Sequence, residues 1–399
     1  MYRPLEIEKD IYYVGVNDRT KHLFESLWPL PNGVSYNSYL IIDEKVALVD
    51  TVDISYSDVF FRKITSLLGE RPIDYLVVNH MEPDHSGSIG LLLNKYPDIS
   101  IVGNKRTIEM LKGYHGITNN LIEIVDLEIL NLGKNNIQFY LTPMVHWPET
   151  MMTYLVEKKV LFSGDAFGTF GALNGGVLDI NIVPEKYWDE MIRYYSNIVG
   201  KYGSPVQTAL KKLSGVEIEL LCSTHGPVWT KNGSINEVIS LYDKLSKYEA
   251  NSGLVIVYGS MYGNTAELAD AIAASASQNG VKDIVIHNVS KSHESDIIRD
   301  VFKYKGLIIG SPTYNNNLYP AVENILSSLQ GRNLKNRFFG YFGGFSWSDA
   351  TERLLKSFAE EMKFEIVADP VVIKQGMIDD AYEKAIKLGI MMAQKLKIS

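Results

Sequence analysis

Cysteine is almost missing: Cys222 is the single one in 399 residues. Within this sequence that excludes an intrachain disulfide, a four-thiolate iron–sulfur cluster and a rubredoxin-type iron site, so any iron must be held by histidine and carboxylate. A run of ~18 apolar residues able to cross a bilayer is also missing, and no membrane span is expected. The opening MYRPLEIEKDIYYVG lacks the basic start and unbroken apolar stretch of a secretory signal, which predicts a cytoplasmic location. Positive charge is in deficit: the formal net charge is −8, against the basic face that nucleic-acid binding needs. Internal repeats and low-complexity tracts are absent as well.

What is there fits a multidomain globular chain. Its length suits two or three domains, and 46% hydrophobic with 22% charged residues is ordinary soluble usage. Two rhythms divide it. Up to about residue 248, short β-rich runs (34–42, 46–50, 75–79, 99–102, 137–141, 160–163 and 220–223) alternate irregularly with helical segments, which predicts a mixed α/β layer structure. From Leu254 onward, apolar strands such as LVIVYGS, DIVIHNV, GLIIGS and RFFGYFGG alternate regularly with helices, the pattern of a doubly wound parallel sheet covered on both faces. A helix at 234–247 and the polar EANSG at 249–253 mark the junction. The domains are expected at 1–249 and 250–399.

The first part carries a metal-ligand pattern. The loop after 75–79 reads His80-Met81-Glu82-Pro83-Asp84-His85, and His146, Asp165 and His225 follow. A single His or Asp in a polar loop is ordinary. Here, however, four of the eight histidines (His80, His85, His146, His225) fall at or just after the ends of apolar runs, where open α/β folds gather their sites. Asp165 in FSGDAFG and His225 in STHGP have glycine neighbours that allow close backbone approach.

The second part carries a flavin pattern. Ser260, Met261, Tyr262, Gly263, Asn264 and Thr265 follow the first strand and open a helix. Hydroxyls and successive N–H groups at a positive helix end suit a phosphate. Two further loops, Ser311, Pro312, Thr313, Tyr314, Asn315, Asn316 and Asn317, then Gly343, Gly344, Phe345, Ser346, Trp347, Ser348 and Asp349, follow the next central strands. In a 2-1-3-4-5 strand order all three loops meet at the carboxyl edge, where Tyr314 and Trp347 could flank a flat ring. No GxGxxG dinucleotide fingerprint is present, so FMN is favoured over FAD or NAD.

His80, Glu82, Asp84, His85, His146, Asp165 and His225 together resemble the metallo-β-lactamase superfamily and, within it, the flavodiiron proteins (A-type flavoproteins). The superfamily's hydrolases read HxHxDH where this chain has HxExDH. The third carboxylate lowers the site's positive charge and favours iron over zinc. The resemblance extends to 26–40 and 193–205. It implies an N-terminal αββα sandwich ahead of the flavodoxin-like domain. It further implies one iron on His80, Glu82 and His146, a second on Asp84, His85 and His225, and Asp165 bridging. It suggests Tyr195 and His22 beside the metals, and a head-to-tail homodimer or dimer of dimers. The implied activity is reduction of O2 to water, of NO to N2O, or both. Electrons pass from rubredoxin, or alternatively reduced F420, through FMN to iron. Two rivals stand: a metal-dependent hydrolase fused to a flavodoxin, against which Glu82 argues, and a plain electron carrier that has lost its metal.

Overall fold

A computed structural model describes residues 4–377 and 379–398. These divide into two compact units, with the break between Asp243 and Lys244, inside the helix Ile235–Ser246. The sequence boundary near residue 250 falls a few positions later.

The first unit is an αββα sandwich. One sheet runs in the order Leu5–Glu8, Ile11–Tyr13, Tyr39–Ile42, Val46–Val49, Tyr75–Val77, Ser100–Asn104, Leu121–Ile124; the other in the order Ile129–Asn131, Asn136–Leu141, Met151–Leu155, Val160–Gly164, Leu220–Ser223, Val228–Thr230. Val46–Val49, Met151–Leu155, Val160–Gly164 and Leu220–Ser223 are buried at every position, as expected of central strands covered on both faces. The outermost Leu5–Glu8 buries only Ile7.

The run 34–42 does not form one strand. It breaks at Asn37 and Ser38 into Val34–Tyr36 and Tyr39–Ile42. Asn37 turns its amide inward, donating to the carbonyls of Ser223 (2.9 Å) and Gly226 (2.8 Å) and accepting from the Tyr13 hydroxyl at 2.9 Å. A buried amide must be satisfied, and here that need overrides the local β pattern.

The second unit is a parallel sheet in the order Ile284–Asn288, Asn251–Tyr258, Tyr304–Pro312, Phe338–Phe345, Glu365–Ile366, with helices between the strands. This is the expected 2-1-3-4-5 order. The expected strand over FEIVADPVVI is two pieces, because Val371–Lys374 pairs separately on Phe338–Phe345 beyond Pro370, whose missing N–H cannot join a ladder. The polar 249–253 stretch, read as linker, already contributes Asn251 to the first strand. No helix among the described residues is long and apolar enough to cross a membrane.

Candidate metal and flavin sites

The metal candidates of the first unit sit on connections leaving its central strands. His80 and Glu82 lie between the strand Tyr75–Val77 and the short helix Pro83–Ser86, which itself presents Asp84 and His85. His146 lies between Asn136–Leu141 and Met151–Leu155, and Asp165 directly follows Val160–Gly164. His225 follows Leu220–Ser223 and is succeeded by Gly226 at φ +81°, where a Cβ would come within 2.1 Å of Thr169 Cγ2. Only glycine fits that exit.

All seven residues are buried and converge in two groups, His80, Glu82, His146 and Asp165 in one and Asp84, His85 and His225 in the other. Asp165, a member of the first group, also faces the second. Its Oδ2 is 2.9 Å from His146 Nε2 and 3.5 Å from His80 Nε2. Its Oδ1 is 3.0 Å from His85 Nε2 and 3.8 Å from His225 Nε2. Glu82 Oε2 lies 3.3 Å from His80 Nε2 and 3.2 Å from His146 Nε2. Asp84 Oδ2 stands 3.4 Å from His85 Nε2 and 3.3 Å from His225 Nε2, yet neither Asp84 oxygen has a hydrogen-bond partner. A buried carboxylate without donors is costly, and His85 and His225 point their Nε2 atoms at each other across 3.1 Å. Both features are satisfied by a cation between them.

The electrostatics agree. Burial alone would depress His146, but hydrogen bonds to Asp165 and Glu82 raise it to about 9. Burial likewise opposes protonation of His85, which Asp84 and Asp165 raise to about 9. Against the opposing effect of burial, Asp165 and Glu82 are held far below the usual carboxylate range, Asp165 chiefly by His80 and His85, Glu82 by His146 and His80. The cluster is thus short of positive charge, which divalent ions supply. Three carboxylates and four imidazoles suit iron.

Outer contacts fix the imidazoles. His80 Nδ1 is 2.8 Å from Glu149 Oε1, and His225 Nδ1 is 2.7 Å from the Ser35 carbonyl. Each outer nitrogen donates, so each Nε2 lone pair faces inward. The Thr224 hydroxyl donates to Asp165 Oδ1 at 2.6 Å. Glu149 and Thr224 escaped the sequence reading. Their only signal was position, three residues after His146 and one before His225.

The two residues expected beside the metals are placed differently. Tyr195 packs edge-on against Tyr242, with ring centroids 5.0 Å apart. The neighbouring Tyr194 takes the inner position, 5.5 Å from the His225 ring, with its hydroxyl buried and without a hydrogen-bond partner. After burial, the negative charges of Asp165 and Glu82 act most strongly on that hydroxyl and hold it protonated. A π-turn over Tyr195–Val199 begins here, and its extra residue shifts the helix phase. His22 is exposed. Glu25, also exposed in part, reaches the edge of the cluster at Glu82 from the turn between Leu23–Phe24 and Trp28–Pro29, held by the Trp28 indole N–H at 2.9 Å. Burial and the charge of Glu82 raise its carboxyl.

In the second unit a cleft of about 100 Å³ is lined by Ser260, Met261, Tyr262, Asn264, Thr265, Pro312, Thr313, Gly344, Phe345, Ser346 and, unexpectedly, Gln375. The sequence's three loops therefore do meet. Gly263 adopts φ +104° ahead of the helix Asn264–Gln278, and its N–H donates to Ser260 Oγ at 3.2 Å. Asn315 and Asn316 both have positive φ, closing a tight turn in which Tyr314 and Asn317 exchange backbone hydrogen bonds, as a type I′ turn requires. Trp347 is 88% exposed and Tyr262 90%, so large aromatic surface lies bare around the cleft, as a flat ring would need. Gly263, Ser311, Tyr314, Asn315, Asn316, Asn317, Trp347, Ser348 and Asp349 do not line it. The Ser311 hydroxyl is buried and accepts from the Tyr319 N–H, while Asp349 accepts from the Thr351 N–H at the start of the helix Thr351–Met362. The hydroxyls, glycine turn and aromatic rim fit FMN.

Outside the two sites, His287 is buried between Asp300 (2.9 Å) and Ser292 (2.9 Å), and His293 caps the helix Glu294–Lys303.

Comparison with known proteins agrees with this geometry. Residues 34–226 match the model of the ODP family of β-lactamase-like domains, and residues 256–389 match flavodoxin. The chain is 31% identical to the anaerobic nitric oxide reductase flavorubredoxin of Escherichia coli over 367 residues, 90% of this chain and 76% of that protein. Its structure resembles rubredoxin oxygen:oxidoreductase from Desulfovibrio gigas with a TM-score of 0.94 at 29% identity, covering 99% of each chain. It resembles the flavodiiron protein of Giardia intestinalis with a TM-score of 0.94 at 26% identity, covering 100% of this chain and 98% of that one. With an ODP-type domain around seven converging His, Asp and Glu side chains, followed along the sequence by a flavodoxin domain, the chain is an FMN- and diiron-dependent oxidoreductase and belongs to the flavodiiron protein family.

Proposed function

We propose that this oxidoreductase reduces a small diatomic, O2 to water, NO to N2O, or both, with electrons from a separate rubredoxin-type carrier or, alternatively, reduced F420. The observation that carries this reading is Asp165, whose two oxygens face two separate ligand groups across one buried cluster. In this reading His80, Glu82 and His146 hold one iron and Asp84, His85 and His225 the other, with Asp165 shared. Ser260 to Thr265 hold the FMN phosphate, and the loops at 311–317 and 343–349 hold the ring, so that residues 1–249 and 250–399 divide the labour. When bound, FMN accepts electrons singly or in pairs and a diiron pair delivers them to the substrate.

The chain's own groups supply the rest. Burial of the seven ligands keeps bulk water from the reacting atoms. The Tyr194 hydroxyl, which lacks a protein partner, is available to donate to a substrate oxygen. The names of the similar proteins support both NO and O2 as substrates. The family likeness supports pairing of a flavin and a metal site from two copies of the chain arranged head to tail, as a dimer or a dimer of dimers.

The test is to reduce the purified protein chemically and follow anaerobic NO consumption and, separately, O2 consumption, with iron and FMN counted. Either activity with about two irons and one FMN per chain fulfils the expectation. Zinc in place of iron with neither activity would favour the hydrolase reading. In parallel, Glu82→His is expected to shift bound metal toward zinc and abolish reduction. Unchanged iron content and turnover in that variant would remove Glu82 as the reason for the metal choice.

A further inference from the structure

We propose that Gln375 is a further FMN-binding residue, its side-chain amide donating to the flavin phosphate. The inference rests on the FMN reading above. Gln375 lies far along the chain from the three loops singled out in the sequence, just past the strand Val371–Lys374, yet it lines the same cleft as Ser260, Asn264 and Thr265.

Its backbone is committed. The Gln375 N–H donates to the Phe345 carbonyl at 2.7 Å, and its own carbonyl accepts from Asn264 Nδ2 at 3.1 Å. These two bonds tie Gln375 both to the ring loop and to the first residue of the helix Asn264–Gln278, the end at which N–H groups open toward an anion. With its N–H engaged, the donor that Gln375 has left for the cleft is its side-chain amide.

Two features make that amide the relevant group. Gln375 holds φ at +68°, a conformation that favours glycine and disfavours a long side chain. The ties to Phe345 and Asn264 hold that conformation in place. Secondly, among the described residues that line the cleft there is no Lys or Arg. A phosphate dianion there must be met by neutral donors, and an amide N–H2 adds to the hydroxyls of Ser260 and Thr265.

The experiment is titration of the flavin-free full chain with FMN and with riboflavin, which lacks the phosphate, followed by quenching of flavin fluorescence. Gln375→Ala is expected to raise the Kd for FMN about tenfold and to leave that for riboflavin unchanged. Gln375→Glu, which sets a negative charge against the phosphate, should raise the FMN value further and still spare riboflavin. Gln375→Gly removes both amide and strain and should lose FMN affinity as the alanine variant does. Equal weakening of both flavins, no weakening of either, or wild-type FMN affinity in Gln375→Gly would overturn the proposal, leaving the residue a backbone tie. A wild-type chain that binds riboflavin as tightly as FMN would overturn the FMN reading itself, and this proposal with it.

Discussion

Glu149 is fully buried, takes the outer N–H of His80 at 2.8 Å and the backbone N–H of Met81 at 3.0 Å, and is thereby held below the usual carboxylate range despite its burial. It aims His80 and makes its inner nitrogen more basic. Glu149→Ala is therefore expected to weaken metal retention about 10–100-fold, measured as metal content after dialysis against graded chelator. Glu149→Gln keeps an acceptor and should lose less. Equal retention in both variants and wild type would show the contact to be incidental. At this scale the sequence revealed much of the metal cluster, because strand ends are marked by apolar runs and ligand types are few. Glu149 was hidden because an acid in HWPET reads as an ordinary loop residue. Tyr194 was hidden because two adjacent tyrosines read alike, and only their neighbours in the fold, His225 for Tyr194 and Tyr242 for Tyr195, tell them apart. Glu25 was hidden because its direction comes from a turn in which Glu25 and Ser26 both hold positive φ.

Among the elements, the helix Glu294–Lys303 and the strand Phe338–Phe345 share a clamp. Arg337, fully buried, donates from Nε to the Val301 carbonyl, from Nη2 to that of Phe302, and from Nη1 to those of Tyr248, Lys335 and Asn336, at 2.8 to 3.1 Å. Every one of these acceptors is main chain, and two are among the last carbonyls of the helix, which have no partner within it. Burial pushes the guanidinium down to about 9, so it remains charged at neutral pH and sits at the helix's negative end. Arg337→Met would leave those carbonyls buried without donors. It is expected to cost the second unit about 3 kcal/mol or more, read as a lower denaturant midpoint for loss of bound flavin. A midpoint within error of wild type would refute this. The elements themselves were legible where period and punctuation agreed, as in the regular strands from Leu254 onward. They were not legible where a buried polar contact or a proline intervened, as at Asn37 and Pro370. Short strands such as Leu5–Glu8 and Met151–Leu155 take their identity from neighbours far along the chain, which local pattern does not show.

On the scale of the whole molecule, two compact units each carry one site. A ligand that binds only the native form stabilises the unit that holds it. Stripping iron is expected to lower the melting temperature of one calorimetric transition by about 5–10 °C, and stripping FMN to lower the other by a similar amount. If either treatment shifted both transitions equally, the units could not be treated as separate folding bodies. The fold class, the order of the second sheet and the flavin edge were all readable from the alternation of apolar runs and loops. The division between Asp243 and Lys244 was not, because it lies inside a helix whose sequence shows no break.

The contact between His225 Nδ1 and the Ser35 carbonyl joins positions 190 residues apart. A chain emerging from the ribosome cannot make that contact until nearly all of the first unit has been synthesised, and Asn37 waits for Ser223 and Gly226 in the same way. Closure over such long loops comes late in folding. Iron loading is consequently expected only once the first unit is complete: a chain cut short before His225 offers scattered histidines and acids but no cavity, so the choice of metal falls to the folded unit rather than to whichever ion first meets the nascent chain.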